Sequence, residues 1–223
     1  MDEQIRSNLR MIGTNATSGG FFRNVSVTGE CQFTGDVDCQ KLSLTGKMGL
    51  AGDLQADKFK ITGECTVDGH IKGFSLKGQG ELRTFSHLRI DQIRFSGSLD
   101  VKGNCEAENL HISGAAQVEG LLSADQLEIG LYGPSRAKEV GGGSIMIKRS
   151  TAARIIGLIQ PRQDAFFEAE LIEGDIVDLQ HTKADTVRGK RVIIGADCEV
   201  NTVEFRETLE IHKNAIVKHQ MRI

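Results

Sequence analysis

Glycine recurs at a fixed spacing through the first half of this 223-residue chain. The first series is Gly29, Gly46, Gly63, Gly80, Gly97 and Gly114, in which each position lies 17 after the one before. A second series follows six residues behind and holds Ser once: Gly35, Gly52, Gly69, Ser86, Gly103 and Gly120. A fixed period of this length is the signature of a repeat protein, in which each unit packs mainly on its neighbours. The sequence therefore predicts one stack of similar units.

The apolar residues keep the same period and alternate with polar ones inside each unit. One column reads Val25, Leu42, Phe59, Leu76, Ile93, Leu110 and Leu127. Its neighbour reads Val27, Leu44, Ile61, Gly78, Phe95, Ile112 and Ile129. Alternation with a period of two is typical of strands with one buried face. We therefore predict an all-β fold, a single-stranded parallel β-helix whose coil length is the glycine period of 17. Three small residues interrupt the columns over 73–84, where we expect the weakest packing: Gly73, Gly78 and Thr84.

The repeat divides the chain into four segments. Residues 1–24 form an N-terminal segment with a partial first coil, and 25–129 form the regular β-helix. Residues 130–166 break the pattern and are predicted to be an irregular insertion or junction. The repeat returns over 167–223, where Val192, Ile194 and Val200 align at the same spacing with Leu209, Ile211 and Val217. One coil earlier, Ile176 aligns with Val192. The total is about ten coils, stacked at the ordinary strand spacing of about 4.8 Å.

The two ends of such a stack are candidate assembly surfaces. An end coil exposes unpaired backbone groups and the apolar cross-section of the core, which is a template for further pairing. The candidate residues at the C-terminal end are Leu209, Ile211, Val217, Met221 and Ile223. Those at the N-terminal end are Leu9, Met11, Phe21 and Phe22. The alternative is that the charged tail (Lys218, His219 and Arg222) caps the end and leaves a monomer.

Other polar and thiol side chains are better explained by structure than by chemistry. One outward column holds Asp36, Asp53, His70 and His87, which are possible metal ligands but are also typical of a solvated corner. Four of the five Cys fall on inward columns and are predicted to be buried, reduced and without a catalytic or metal role: Cys31, Cys39, Cys65 and Cys105. The chain lacks a phosphate-binding G-x-x-x-x-G-K-[ST] loop and a G-x-S-x-G elbow. We predict no enzyme activity, no cofactor and no nucleotide.

Composition and one apolar run are the sequence features that predict the cellular location and the kinds of partner. A net charge of −3 argues against nucleic acid as a partner. The chain begins with acidic residues and has neither a signal-peptide pattern nor a membrane-spanning run, so we expect a cytoplasmic protein. An apolar run flanked by basic residues is a candidate for peripheral membrane contact, or for packing over an open edge at the junction: Ile155, Ile156, Leu158 and Ile159.

Several local motifs, taken in order, resemble the bactofilins, which are polymer-forming cytoskeletal proteins of bacteria. They are the Ser18-Gly19-Gly20 turn, the V-x-V-x-G-x-C repeat from Val25, and the runs at 120–125, 131–135, 171–175 and 187–195. The resemblance is greatest to the longer, Bacillus-type form and extends over nearly the whole chain. It implies a right-handed β-helix and nucleotide-independent filaments made by end-to-end stacking, with itself or a paralogous bactofilin as partner. It also implies scaffolding at the inner face of the membrane, although the acidic start departs from the apolar N-terminal targeting stretch of many members.

Two other classes of function remain open from the sequence. A monomeric or small-oligomer adaptor that binds a partner along the rod has much the same sequence pattern. An enzyme on a β-helix is less consistent with it, because hexapeptide acyltransferases repeat strictly by sixes and the period here is 17. Assembly state separates the first alternative from a polymer.

Overall fold

The computed structural model describes residues 6–150 and 165–223, which form twelve β-strands and, within those ranges, no helix. The strands are β1 (Ser7–Thr17), β2 (Gly20–Phe33), β3 (Val37–Leu50), β4 (Leu54–Val67), β5 (Ile71–Thr84), β6 (Leu88–Val101), β7 (Cys105–Leu131), β8 (Ser135–Arg149), β9 (Phe167–Leu179), β10 (Thr182–Ile194), β11 (Glu199–Ile211) and β12 (Ile216–Arg222). They form one sheet in which each strand pairs in parallel with the next along the chain.

Each strand from β2 to β6 bends around one coil, whereas β7, with 27 residues, continues into the following coil. From β2 to β6 the paired residues are 17 apart: Leu42 pairs with Phe59, and Phe59 with Leu76. The predicted fold class is therefore confirmed as an all-β parallel solenoid, with the predicted coil length in its regular part. The apolar columns point inward and form one continuous core from Met11 to Val203.

The glycine period has a backbone cause. Gly46, Gly63, Gly80 and Gly97 have φ angles of 124°, 123°, 124° and 127°, which side chains strongly disfavour. At this corner each glycine also lies directly against the carbonyl oxygen of the glycine one coil before it, so an added Cβ would clash. The corner recurs through the regular coils because only glycine satisfies both conditions.

The core over 73–84 is better filled than the sequence predicts. Gly73 lies against the ring of Phe59, and Gly78 pairs in register with Phe95, which is fully buried. Large aromatic side chains therefore lie beside the small residues in the same part of the core. Thr84 is also buried, and its hydroxyl donates a 2.7 Å hydrogen bond to the carbonyl of Gly69. The expectation of weak packing missed these compensations between neighbouring coils.

Most of the described part of the predicted irregular segment 130–166 is β8, a strand of the same sheet, although its register with β7 shifts between Val118 and Leu121. β8 pairs with both β7 and β9, and Val140 is buried between Leu122 and Ile172. The chain from Leu122 to Val140 is close to one ordinary coil in length, whereas that from Val140 to Ile172 is nearly two. The extra chain length therefore lies between β8 and β9.

The glycines of β8 interrupt the repeat of apolar residues, so the sequence pattern does not predict this strand. Gly142 takes the place of an inward apolar residue beside Ala124, so the column is interrupted there. Counting β1 and β8 gives twelve strands, against the ten coils expected.

The predicted C-terminal alignment is correct except at Ile176. The pairs Val192 with Leu209, Ile194 with Ile211 and Val200 with Val217 are all present. Ile176, however, pairs with Arg191, and Val177 occupies the buried position opposite Val192. The cause is a shorter coil, because β9 and β10 pair at an offset of 15, as between Ile172 and Val187.

All five cysteines are free and buried, as predicted for the four that the columns placed. Burial raises the pKa of Cys65 and, together with nearby carboxylates, those of Cys39 and Cys105, each to about 12. Because the thiolate is the reactive form, we expect these thiols to be inert to Ellman's reagent at pH 8 in the folded protein and to react rapidly in denaturant. Fast reaction of any one of the three without denaturant would contradict their burial.

Candidate self-assembly ends

Both ends of the described solenoid are open edges. β1 pairs only with β2, and β12 pairs only with β11, among the residues described. The outer side of each end coil therefore carries backbone N–H and C=O groups that no described strand satisfies. An edge of this kind pairs with another strand unless something covers it.

The C-terminal end is apolar and half exposed. Leu209 and Val217 are partly buried against the core, whereas Ile211 is 42% exposed, Met221 51% and Ile223 49%. Leu209, Ile211 and Val217 continue inward columns, whose members one coil inward, Val192, Ile194 and Val200, are at most 2% exposed. Met221 pairs with Glu204 and therefore lies in an outward column. One further coil would therefore bury the end in the same way.

The structure adds one residue to the predicted C-terminal set. Ile216 is 58% exposed at the start of β12 and lies outside the inward columns. Sequence columns could not find it because its position in the repeat is normally polar.

The charged tail does not cover the C-terminal end. Ile211, Met221 and Ile223 stay about half exposed beside it. Arg222 instead donates a 3.1 Å hydrogen bond to the carbonyl of Arg206, within the last turn.

At the N-terminal end the structure separates the four predicted residues into two groups. Leu9 and Met11 lie in β1, the end coil, with Leu9 partly buried and Met11 8% exposed. Phe21 and Phe22 lie in β2, the second coil. Phe22 pairs with Ser7 and packs on the core, and Phe21 points outward and is 55% exposed. Only Leu9 and Met11 therefore belong to the end face.

The two end faces belong to the same columns of the solenoid. Following the register coil by coil, with the sequence repeat supplying the step from Leu110 to Leu127 inside β7, links Leu9 to Leu209 and Met11 to Ile211. A second copy placed head to tail would therefore continue both columns with apolar contacts. The N-terminal face is the more polar of the two, since Asn15 and Thr17 stand where the C-terminal face has Ala215 and Val217.

The column of possible metal ligands is a hydrogen-bond ladder along one corner. Oδ1 of Asp36 accepts a 2.8 Å bond from the backbone N–H of Asp53, and Oδ1 of Asp53 accepts a 2.7 Å bond from that of His70. Nδ1 of His87 accepts a 2.8 Å bond from the backbone N–H of Asn104, and the His70 and His87 rings stack with centroids 5.4 Å apart. No group of three metal-ligating side chains occurs in the described ranges. The arrangement favours a structural role for the column.

Removing one acceptor tests this role. We expect Asp53→Ala to lower the free energy of unfolding by about 1 kcal/mol, since the N–H of His70 then loses its partner. Asp53→Asn keeps the amide oxygen as an acceptor and is the matched control, with an expected loss of less than ~0.5 kcal/mol. Urea unfolding measures both. Equal losses for the two variants would assign the effect to the charge and contradict the ladder.

The predicted membrane-contact residues Ile155, Ile156, Leu158 and Ile159 lie outside the described residues. Within 6–150 and 165–223 no helix is long and apolar enough to cross a membrane.

Comparison with known proteins finds two similar sequences, both from Bacillus subtilis (strain 168). The chain is 41% identical over 73 residues to the uncharacterised protein YhbE, a match that covers 33% of this chain and 30% of YhbE. It is 34% identical over 89 residues to the uncharacterised protein YhbF, covering 40% of this chain and 35% of YhbF. The matches thus span about a third of each relative. No protein-family profile and no solved structure matches the chain.

Proposed function

We propose that this protein is a bactofilin-like scaffold that assembles end to end into filaments without a nucleotide. The observation that carries the proposal is the C-terminal end coil, where Leu209, Ile211 and Val217 continue the columns of the buried core and no described strand covers them. The family resemblance of the sequence motifs supports the same conclusion. No catalytic step is part of the proposal.

The physical argument rests on what a junction between two copies removes from water. Burying the remaining surface of a half-exposed Ile such as Ile211 is worth about 1 kcal/mol. Several such side chains act together at one end, and the backbone groups of the open edge gain strand partners at the same time. Each added copy presents a new open end. Growth therefore continues, and the product is a filament.

The proposed setting follows from the resemblance. The partner is a second copy of this chain, and a paralogous bactofilin with the same coil would fit the same end. The filament is proposed to lie in the cytoplasm, at the inner face of the membrane where residues 155–159 make the contact.

Negative-stain electron microscopy of the purified protein, without nucleotide and over a range of concentrations, tests the proposal. We expect filaments that appear above a threshold concentration and are unaffected by added ATP or GTP. Uniform single rods at every concentration would overturn it. That result would instead support the adaptor, a single rod that binds a different partner, and pull-down experiments would then follow.

A further inference from the structure

Many charged side chains of the solenoid pair with an opposite charge on the adjacent coil. Lys47 lies 3.4 Å from Glu64, Arg83 lies 3.1 Å from Asp100, and Lys102 lies 2.9 Å from Glu119. Such pairing is the ordinary solution for stacked parallel strands, because like charges directly opposite each other are destabilising. Isolated in-register pairs depart from it, such as Lys41 with Lys58 and Lys72 with Arg89. A longer run of like side chains lies on one face formed by β4, β5, β6 and β7.

On that face basic side chains are stacked in register. Lys60 pairs with Lys77, Lys77 with Arg94, and Arg94 with His111, and we call these four residues the basic column. Successive members are about 4.8 Å apart along the solenoid. Lys60, Lys77 and Arg94 are exposed, and within the described residues none of them forms an ion pair. Among the described residues, no opposite charge relieves their repulsion.

A second column of the opposite character lies three residues earlier in each coil. It consists of Asp57, Phe74, Asp91 and Glu108, and we call it the acidic column. Asp57 and Asp91 form no ion pair within the described residues, Glu108 accepts only a 3.4 Å hydrogen bond from Gln92, and Phe74 is 53% exposed. Every coil from β4 to β7 thus has an acid or an aromatic followed, three residues later, by a basic side chain.

We propose that two copies of this chain pair side by side and parallel through this face, about a twofold axis that runs along the solenoid. This axis places each coil at the same height as the identical coil of the second copy. It also inverts lateral position, so a column on the left of the face in one copy lies opposite a column on the right in the other. The acidic column of one copy then lies opposite the basic column of the other. Asp57 faces Lys60 of the second copy, Asp91 faces Arg94, and Glu108 faces His111.

The exposed aromatic fits the same arrangement. Phe74 lies opposite Lys77 of the second copy, where an ammonium group over a ring face makes a cation–π contact. Because the axis is twofold, each contact occurs twice, and the interface is closed after two copies. In an antiparallel pair the twofold axis lies in the interface and is perpendicular to the solenoid. Lateral position is then unchanged between the two copies. The basic column would then lie over itself, whereas the parallel pair brings only Lys58, which lies in the column of Gln92, close to its own copy at the axis. Charge complementarity therefore favours the parallel pair.

The pattern is limited to these four coils. On the next coil the corresponding residues are Asp125 and Glu128, both acidic, and Glu128 already lies 3.1 Å from His111 of its own chain. The contact is therefore about 15–20 Å long at the strand spacing, which is small for a stable interface. A weak, salt-sensitive association follows, since its charges are exposed before binding. It leaves both end faces free and does not depend on the end-to-end assembly proposed above.

A charge exchange tests the pairing. Analytical ultracentrifugation at low salt is carried out on Ile211→Arg, the variant meant to block the ends, and on unsubstituted protein below any filament threshold. We expect dimers that Arg94→Glu weakens at least ~10-fold, because that residue then faces Asp91 of the second copy. The double variant Asp91→Arg/Arg94→Glu exchanges the two charges and should restore the dimer. Monomers at about 100 μM in the parent, or no recovery in the double variant, would overturn the proposal.

Cross-linking gives a second, geometric test. Gln92 lies between the two columns and is closest to the axis, so Gln92→Cys should form a disulfide dimer under mild oxidation. Gln55→Cys, exposed on another side of the rod, is the matched control and should remain monomeric. The five native cysteines are buried and do not interfere.

If instead Gln92→Cys stays monomeric and Arg94→Glu abolishes binding to phosphatidylglycerol vesicles, the face serves an anionic membrane and the pairing is wrong.

Discussion

Replacing Gly80 with alanine is expected to lower the free energy of unfolding by at least ~3 kcal/mol. Gly80 has a φ of 124°, which an alanine adopts only with strain, and the new Cβ would clash with the carbonyl oxygen of Gly63. Neither atom can move independently, because each belongs to a coil held in register by the coils on both sides. Since a solenoid is stabilised mainly between neighbours, the damage should also divide the stack and broaden the urea transition.

Gly130→Ala is the matched control for this prediction. Its Cβ would have no neighbour closer than 3.6 Å, and its φ is not in the region that requires glycine. The expected change is between zero and a stabilisation of about 1 kcal/mol, because alanine restricts the unfolded chain. Urea unfolding followed by circular dichroism measures both variants. An unchanged midpoint for Gly80→Ala would show that the repeated corner tolerates a side chain.

Replacing Ile211 with arginine is expected to abolish end-to-end assembly while leaving the rod folded. Ile211 lies in the last coil, is 42% exposed, and pairs with Ile194 on one side only. Arginine there places a charge in the apolar face that the next copy must cover, and an unpaired buried charge costs several kcal/mol. We expect the threshold concentration for filaments to rise more than ~10-fold, since about 1.4 kcal/mol corresponds to a factor of ten. Pelleting and electron microscopy measure this threshold.

Glu210→Arg is the control, because it introduces the same side chain one residue away at an exposed, outward position of the same coil. Its filaments should form as in the unsubstituted protein. Leu9→Arg then reports which ends meet. Loss of all assembly, pairs included, in both Leu9→Arg and Ile211→Arg points to head-to-tail contact, because every such junction needs both faces. Persistence of paired rods in Leu9→Arg points to contact between like ends. Normal filaments in Ile211→Arg would exclude the C-terminal face.

The sequence predicts the regular coils correctly because every column supports the same register. Leu42, Phe59 and Leu76 could not all be buried at any other offset, since a slip of one residue turns an entire strand inside out. Where coils change length this support fails. The pattern misses β8 because Gly142 interrupts an inward column and because β8 pairs with β7 and β9 at offsets that differ from the regular one. It misplaces Ile176 by one residue because β9 and β10 form a shorter coil.

The candidate ends were predictable in part for the same reason. Leu9, Met11, Leu209 and Ile211 follow from the columns, and the structure places all of them on end coils. The columns do not show that Phe21 and Phe22 lie in the second coil, because β1, the partial coil that precedes them, has too few residues to show a period.

The sequence alone determined the solenoid, its inward columns and the glycine corner, since these depend on contacts that every regular coil repeats with its neighbour. Only the tertiary structure decided which apolar and charged side chains remain exposed once all coils are stacked. The half-exposed Ile211, Met221 and Ile223, and the charges of the basic and acidic columns that form no ion pair with a described residue, are defined by what lies beside them in space. That depends on the summed register of twelve strands of unequal offset, which no local pattern contains.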